Sequence, residues 1–173
     1  MPAVSKLVPE ETMFFLCDVQ TRFKNLIFGI DELVLTINKM FKIAKSILVI
    51  LSDIKSPKNK GFGNTIPDID LPSLGPLLVA TIAKDLYSMM TPEVRAILHK
   101  RPHIKSMVLF GVESQVCVLQ SALDFIEAGY NVHVIADGDA CLPGFKLFSN
   151  VMKEEKDNTV RTSQKMLHRR SFL

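Results

Sequence analysis

Three side chains carry the reactive chemistry this sequence has to offer: Asp18, Lys84 and Cys117. A thiol is inert toward acyl carbons until it loses its proton, and a helix N-terminus or a nearby cation favours that loss. A carboxylate can take the proton, and an ammonium can keep the carboxylate ionised while offsetting negative charge that develops beside it. Backbone N–H groups at a helix start can receive the oxyanion of a tetrahedral intermediate. Nucleophile, base, cation and oxyanion donors are together what acyl transfer requires. Each residue alone has a plainer use: Asp as a turn former, Lys as a solvated group, Cys as a small core residue. The three mean something only if the fold gathers them.

The elements that would gather them alternate in type, the pattern of a parallel sheet with crossover helices. Residues 12–17 (TMFFLC) are almost wholly apolar, as expected of a strand covered on both faces, and Asp18 follows at once. Residues 31–45 place Leu33, Val34, Ile37, Met40, Phe41 and Ala44 at helical spacing, with Asp31 as the expected N-cap. Residues 47–51 (ILVIL) form a second strand. Residues 52–76 hold Pro57, Gly61, Gly63, Pro67, Pro72, Gly75 and Pro76, a density of breakers that predicts a loop lining the ligand site.

A third strand is predicted over 77–82, with Lys84 just past its end. Thr91, Pro92 and Glu93 start a helix that runs to about Lys100, and residues 106–111 (SMVLFG) form a fourth strand. Residues 115–128 form a helix closed by Gly129, with Cys117 in its first turn. Residues 131–136 (NVHVIA) are a fifth strand. Beyond it the pattern predicts a turn at Pro143 and Gly144, a helix to about Lys153, a sixth strand over 158–162 and a short basic helix. In an open parallel sheet ligands bind outside the carboxyl ends of the strands, where Asp18, Lys84 and Cys117 all fall.

Composition bounds the rest. A length of 173 residues suits one domain with its own core, so residues 1–173 are read as a single domain. No apolar run approaches the ~20 residues that span a bilayer, and the N-terminal residues lack the pattern of a secretory leader. The three cysteines form no paired spacing, so a reducing, cytoplasmic setting is expected. The net charge of +3 is mild and spread along the chain, without the basic cluster and aromatics of a nucleic-acid surface. Neither a nucleic-acid nor a membrane partner is expected; a small-molecule substrate is.

Read as phrases, Phe14-Phe15-Leu16-Cys17-Asp18-Val19-Gln20 with Arg22-Phe23, then Lys84-Asp85-Leu86-Tyr87-Ser88, then Gly111-Val112-Glu113-Ser114-Gln115-Val116-Cys117-Val118 resemble the isochorismatase-like cysteine hydrolases. That superfamily includes the nicotinamidases. The resemblance implies a flavodoxin-like, three-layer, doubly wound α/β fold and a homo-oligomer. It also implies that Asp18 is the general base, Lys84 the cation and Cys117 the nucleophile of a catalytic triad. A non-proline cis peptide between Val112 and Glu113, an oxyanion hole of the Glu113 and Cys117 N–H groups, and a pocket lined by Phe23 and Tyr87 follow from the same likeness.

The sequence departs from the nicotinamidases at their metal ligands. Asp53 is present, but the histidines that should accompany it are not: none occurs before His99. No metal and no cofactor are expected, and the likeness is to the metal-free branch. Cys117 then favours a carboxamide or related acyl substrate cleaved through a thioester. A catalytically idle ligand-binding scaffold on the same fold, or an RNA-associated protein, are the alternatives. Cys17 is read as a core residue, Cys141 as a loop residue, His133 as a structural histidine, and Asp137 and Asp139 as turn formers.

Overall fold

A computed structural model describes residues 7–54 and 61–140, with side chains to residue 135. Five strands form one parallel sheet: β1 (Thr12–Cys17), β2 (Leu48–Ile54), β3 (Leu78–Lys84), β4 (Ser106–Val112) and β5 (Asn131–Ala140). Their order is β3-β2-β1-β4-β5. The main helices are α1 (Ile30–Ile43), α2 (Pro92–His99) and α3 (Leu119–Glu127).

The apolar strands are explained by cover on both faces. Phe14, Leu16, Val49, Leu51, Val108 and Phe110 cluster with Leu33, Val34, Ile37 and Phe41 of α1. The alternate residues Met13, Phe15, Ile50, Met107 and Leu109 cluster with Val94 and Leu98 of α2 and with Ala122 and Phe125 of α3. The period of two along each strand thus divides the core into two halves, one on each side of the sheet. Phe14 meets Phe110 edge-on at 5.6 Å in one half, and Phe15 meets Phe125 at 4.7 Å in the other. This is the expected three-layer α/β fold.

Several boundaries move, because hydrogen-bonded neighbours rather than apolarity decide where a strand stops. β2 continues past the apolar run: Ser52 pairs with both Cys17 and Ile82, and Ile54 with Lys84. Lys84 is therefore the last residue of β3, not a residue beyond it. β5 runs through Ala140, and Asp139 lies opposite Gly111, so Asp137 and Asp139 sit on a strand and not in a turn.

The residue capping α1 is Gly29 at φ 77°, a left-handed entry that suits glycine, and not Asp31. Asp31 lies in the first turn, where its charge favours the helix dipole. The breaker-rich stretch also holds more order than expected: residues Leu71–Leu77 form 3₁₀ turns, kinked at Gly75 and started by Asp70, whose side chain accepts from the Ser73 N–H. Thr91 caps α2 as predicted, accepting from Val94 N–H at 3.3 Å. Cys141 and the elements predicted after residue 140 lie outside the described residues.

Candidate active site

The crossovers proceed from β1 outward to β3 and then reverse to place β4 and β5 on the other side of β1. The crevice where the order reverses, between β1 and β4, is where such sheets bind ligands. Asp18 leaves β1 at this point with φ 46°, a left-handed conformation uncommon for a residue with a side chain. It is held there because its N–H donates to Ser52 O at 3.1 Å and its carbonyl accepts from Gln20 N–H at 2.8 Å.

Across the crevice the chain leaves β4 through a cis peptide between Val112 and Glu113. Residues Ser114–Val118 then make a π-helical turn, in which Val118 N–H donates to Glu113 O, five residues back, at 3.2 Å. The sequence pattern predicts a regular α-helix from residue 115, but α-helical geometry begins only at Leu119. The wide turn carries Cys117, and single π turns of this kind collect at functional sites. Ser121 fixes it: its hydroxyl donates to Cys117 O at 2.6 Å and accepts from Met89 N–H at 2.9 Å, tying the turn to the segment after β3.

Lys84 reaches the same spot from β3, which lies two strand spacings, ~9.6 Å, from β1. Only a long side chain covers that gap. Its Nζ lies 2.7 Å from Asp18 Oδ2 and 3.6 Å from Cys117 Sγ. It also donates to Leu86 O at 3.0 Å and Tyr87 O at 2.9 Å. Ser52 Oγ donates to Asp18 Oδ1 at 2.8 Å. The structure therefore brings the carboxylate, the ammonium and the sulfur together. Oδ2 carries the ion pair with no hydrogen bond aligned on it, and the carboxylate is within hydrogen-bonding reach of the Cys117 thiol.

The electrostatics follow from burial. Burial holds the Asp18 carboxyl above its ordinary value, against the lowering effect of Lys84. Burial also works against the Lys84 ammonium, yet the Asp18 carboxylate beside it keeps its pKa above the usual lysine value. The Cys117 thiol is pushed well up, by burial and then by the Asp18 carboxylate, with Lys84 and the Glu113 N–H opposing. Enclosure and the Asp18 carboxylate thus work against the thiolate that a helix start and a cation would favour, and the sulfur lies beside an Asp18–Lys84 ion pair. A carboxylate made more basic by burial is placed to take the thiol proton.

Cys117 opens onto a cleft of about 210 Å³ lined by Phe23, Ile54, Phe62, Tyr87, Glu113 and Val116. Phe23 and Phe62 stack with ring centroids 4.8 Å apart and planes 7° apart. Phe62 is held by backbone pairing: Arg22 N–H donates to Phe62 O, Thr21 N–H to Asn64 O and Ile66 N–H to Val19 O. Gln20 adds three side-chain bonds: its Nε2 donates to Gly63 O at 2.6 Å and to Ile54 O at 3.3 Å, and its Oε1 accepts from Ile54 N–H at 2.9 Å.

Sequence reasoning passed over Ser52, Phe62, Ser121 and the carboxyl group of Glu113. Extending β2 by three residues would have found Ser52, since its partner in β1 adjoins Asp18. His133 lies in β5 opposite Val108 and does not line the cleft. Asp53 accepts from Thr65 Oγ1 at 3.2 Å, and among the described residues no group of three His, Cys, Asp or Glu is placed to hold a metal ion.

Comparison with known proteins places the fold in a family. Residues 12–144 match the isochorismatase domain. The chain belongs to the isochorismatase family. It is 38% identical over 134 residues to isochorismatase domain-containing protein 1 of Salmo salar, covering 78% of this chain and 46% of that protein. It is 39% identical over 140 residues to isochorismatase family protein 1A of Dictyostelium discoideum, covering 79% and 66%. Among solved structures, the MAR1 ribonuclease of Caenorhabditis elegans superposes with a TM-score of 0.67 at 30% identity, over 79% of this chain and 68% of that one. The chain spans between 46% and 66% of the two sequence relatives' lengths. The isochorismatase fold is therefore shared with these proteins.

Proposed function

We propose that this chain is a cysteine hydrolase that cleaves small carboxamides through a thioester. The observation that carries this reading is the meeting of Asp18 and Lys84 with Cys117, which lines one cleft. Asp18 takes the thiol proton as sulfur attacks the carbonyl carbon. The resulting oxyanion is received by the backbone N–H groups of Glu113 and Cys117, the first of which already reaches the sulfur. Asp18 then returns the proton to the nitrogen, the C–N bond breaks, and ammonia or an amine leaves. Water, deprotonated by Asp18, attacks the thioester carbon; the acid departs and the thiol is restored. Lys84 favours the ionised form of Asp18 before each proton is taken up and contributes its charge beside the sulfur.

Iodoacetamide tests this without a known substrate. Cys117 is expected to be alkylated faster than Cys17 or Cys141. Because Asp18 accepts the proton only when ionised, the rate falls as pH drops through its raised pKa, and Asp18→Asn abolishes that limb. Equal labelling of the three thiols would count against the reading. Ammonia release from a panel of small carboxamides, lost in Cys117→Ser, separates an enzyme from an idle scaffold. The name of the Caenorhabditis elegans neighbour suggests RNA cleavage instead, but a cleft of about 210 Å³ with no lysine, arginine or histidine among its described lining residues suits a small neutral molecule better.

Ser52 offers a finer check. Its hydroxyl bonds the oxygen of Asp18 that does not meet the ammonium, so it fixes the carboxylate's rotation and, like Lys84, favours the ionised form. Ser52→Ala is expected to raise the pH at which Cys117 alkylation falls off and to cost about 1–2 kcal/mol in urea unfolding. An unchanged pH profile would remove Ser52 from the machinery.

A further inference from the structure

The charge balance of the cleft goes one step beyond the reaction class, on the reading that Cys117 is the nucleophile. The Lys84 side chain is wholly enclosed and its charge is met by Asp18 at 2.7 Å, so the pair presents no net charge to the cleft. Of the described residues that line it, Glu113 alone bears a formal charge. Its carboxyl is half-buried, and Gln115 Nε2 donates to its Oε2 at 3.0 Å. The other walls are the stacked Phe23 and Phe62, Ile54, Tyr87 and Val116. Nothing among these side chains compensates a second negative charge, and the apolar walls keep the local field poorly screened.

We propose that Glu113 makes the cleft reject anions, so that its substrate is a neutral or positively charged small carboxamide and not one bearing a carboxylate. The aromatic walls supply flat contact for the body of such a molecule, and the Glu113 carboxylate accepts from an N–H or ammonium group on it.

The test compares alkylation of Cys117 by iodoacetate, iodoacetamide and 2-bromoethylammonium, which differ in charge and little in size. Rates are normalised to those of 2-mercaptoethanol, and the modified residue is identified by peptide mass. In the unaltered protein the iodoacetate-to-iodoacetamide ratio at Cys117 is expected to fall about tenfold below that of the small thiol, and the ratio for the cation to exceed it. Glu113→Gln, which keeps size and a hydrogen-bonding group, should bring both ratios back to the small-thiol values. Glu113→Asp, which keeps the charge, should not. An unaltered protein that shows no charge preference, or a Gln variant that keeps it, overturns the proposal while leaving the nucleophile in place. If no reagent labels Cys117 faster than Cys17, the nucleophile reading fails first and takes this inference with it.

Discussion

Lys84→Met is expected to destabilise the protein by about 3–5 kcal/mol, the range for removing one partner of a buried ion pair. Asp18 would be left wholly enclosed with a charge that only the Ser52 hydroxyl and the Cys117 thiol could help to hold. The Leu86 and Tyr87 carbonyls would lose their shared donor as well, loosening the segment that brings Tyr87 to the cleft. For a chain of this length the loss corresponds to a fall of roughly 10–15 °C in melting temperature.

The pH dependence of that loss has a definite sign. Without Lys84 the carboxylate's pKa, already raised, rises further, and a protonated Asp18 no longer needs a cation. The gap between variant and parent is therefore widest above that pKa and narrows as pH falls through it. Asp18→Asn combined with Lys84→Met should recover most of the stability, because no buried charge remains, yet Cys117 alkylation should stay slow because no base remains. Urea unfolding and alkylation of the three variants together check this. A Lys84→Met protein as stable as its parent would show that the ion pair is not the enclosed contact described above.

The parts legible in the sequence were those that a single residue or a short period encodes. Runs such as TMFFLC and SMVLFG lie in β1 and β4 because a strand covered on both faces has no polar side. Thr91-Pro92-Glu93 starts α2 because hydroxyl, ring and acid each suit one position of a helix start. Asp18 and Cys117 were legible by place, since each directly follows a predicted strand or opens a predicted helix.

What stayed hidden depends on partners distant in the chain. Ser52 belongs to β2 because Cys17 and Ile82 flank it, and no local pattern in Leu51-Ser52-Asp53 states that. The thiol's upward shift arises first from enclosure and then from the Asp18 carboxylate, and the sequence does not display the enclosure. The π turn is equally invisible in Ser114-Gln115-Val116-Cys117-Val118, whose apolar spacing fits an α-helix. Placement of Glu113 on the cleft wall needed the Phe62 segment, which folds back along Val19–Arg22 through backbone bonds that no side-chain type announces.

Gly111 is where the sheet and the site depend on one missing atom. It pairs with Cys17, the residue before Asp18, and has φ 123°, a conformation open to glycine and strained for any other residue. A Cβ there would stand 2.3 Å from Cys17 O and 2.8 Å from Cys17 N, both backbone atoms that cannot rotate away. Gly111→Ala must therefore push β1 and β4 apart at the crevice that holds the site, and the expected cost is about 3 kcal/mol or more. Gly129 supplies the control: it too has a positive φ, 89°, but a Cβ would meet nothing within 4 Å. Gly129→Ala should cost only the conformational strain, about 1 kcal/mol. The difference between the two variants in urea unfolding isolates the steric term. Since Cys17 leads directly into Asp18, Gly111→Ala should also slow Cys117 alkylation under conditions where the variant remains folded, and Gly129→Ala should not. Equal losses in the two variants would mean that β1 and β4 do not approach as closely as their pairing at Gly111 requires.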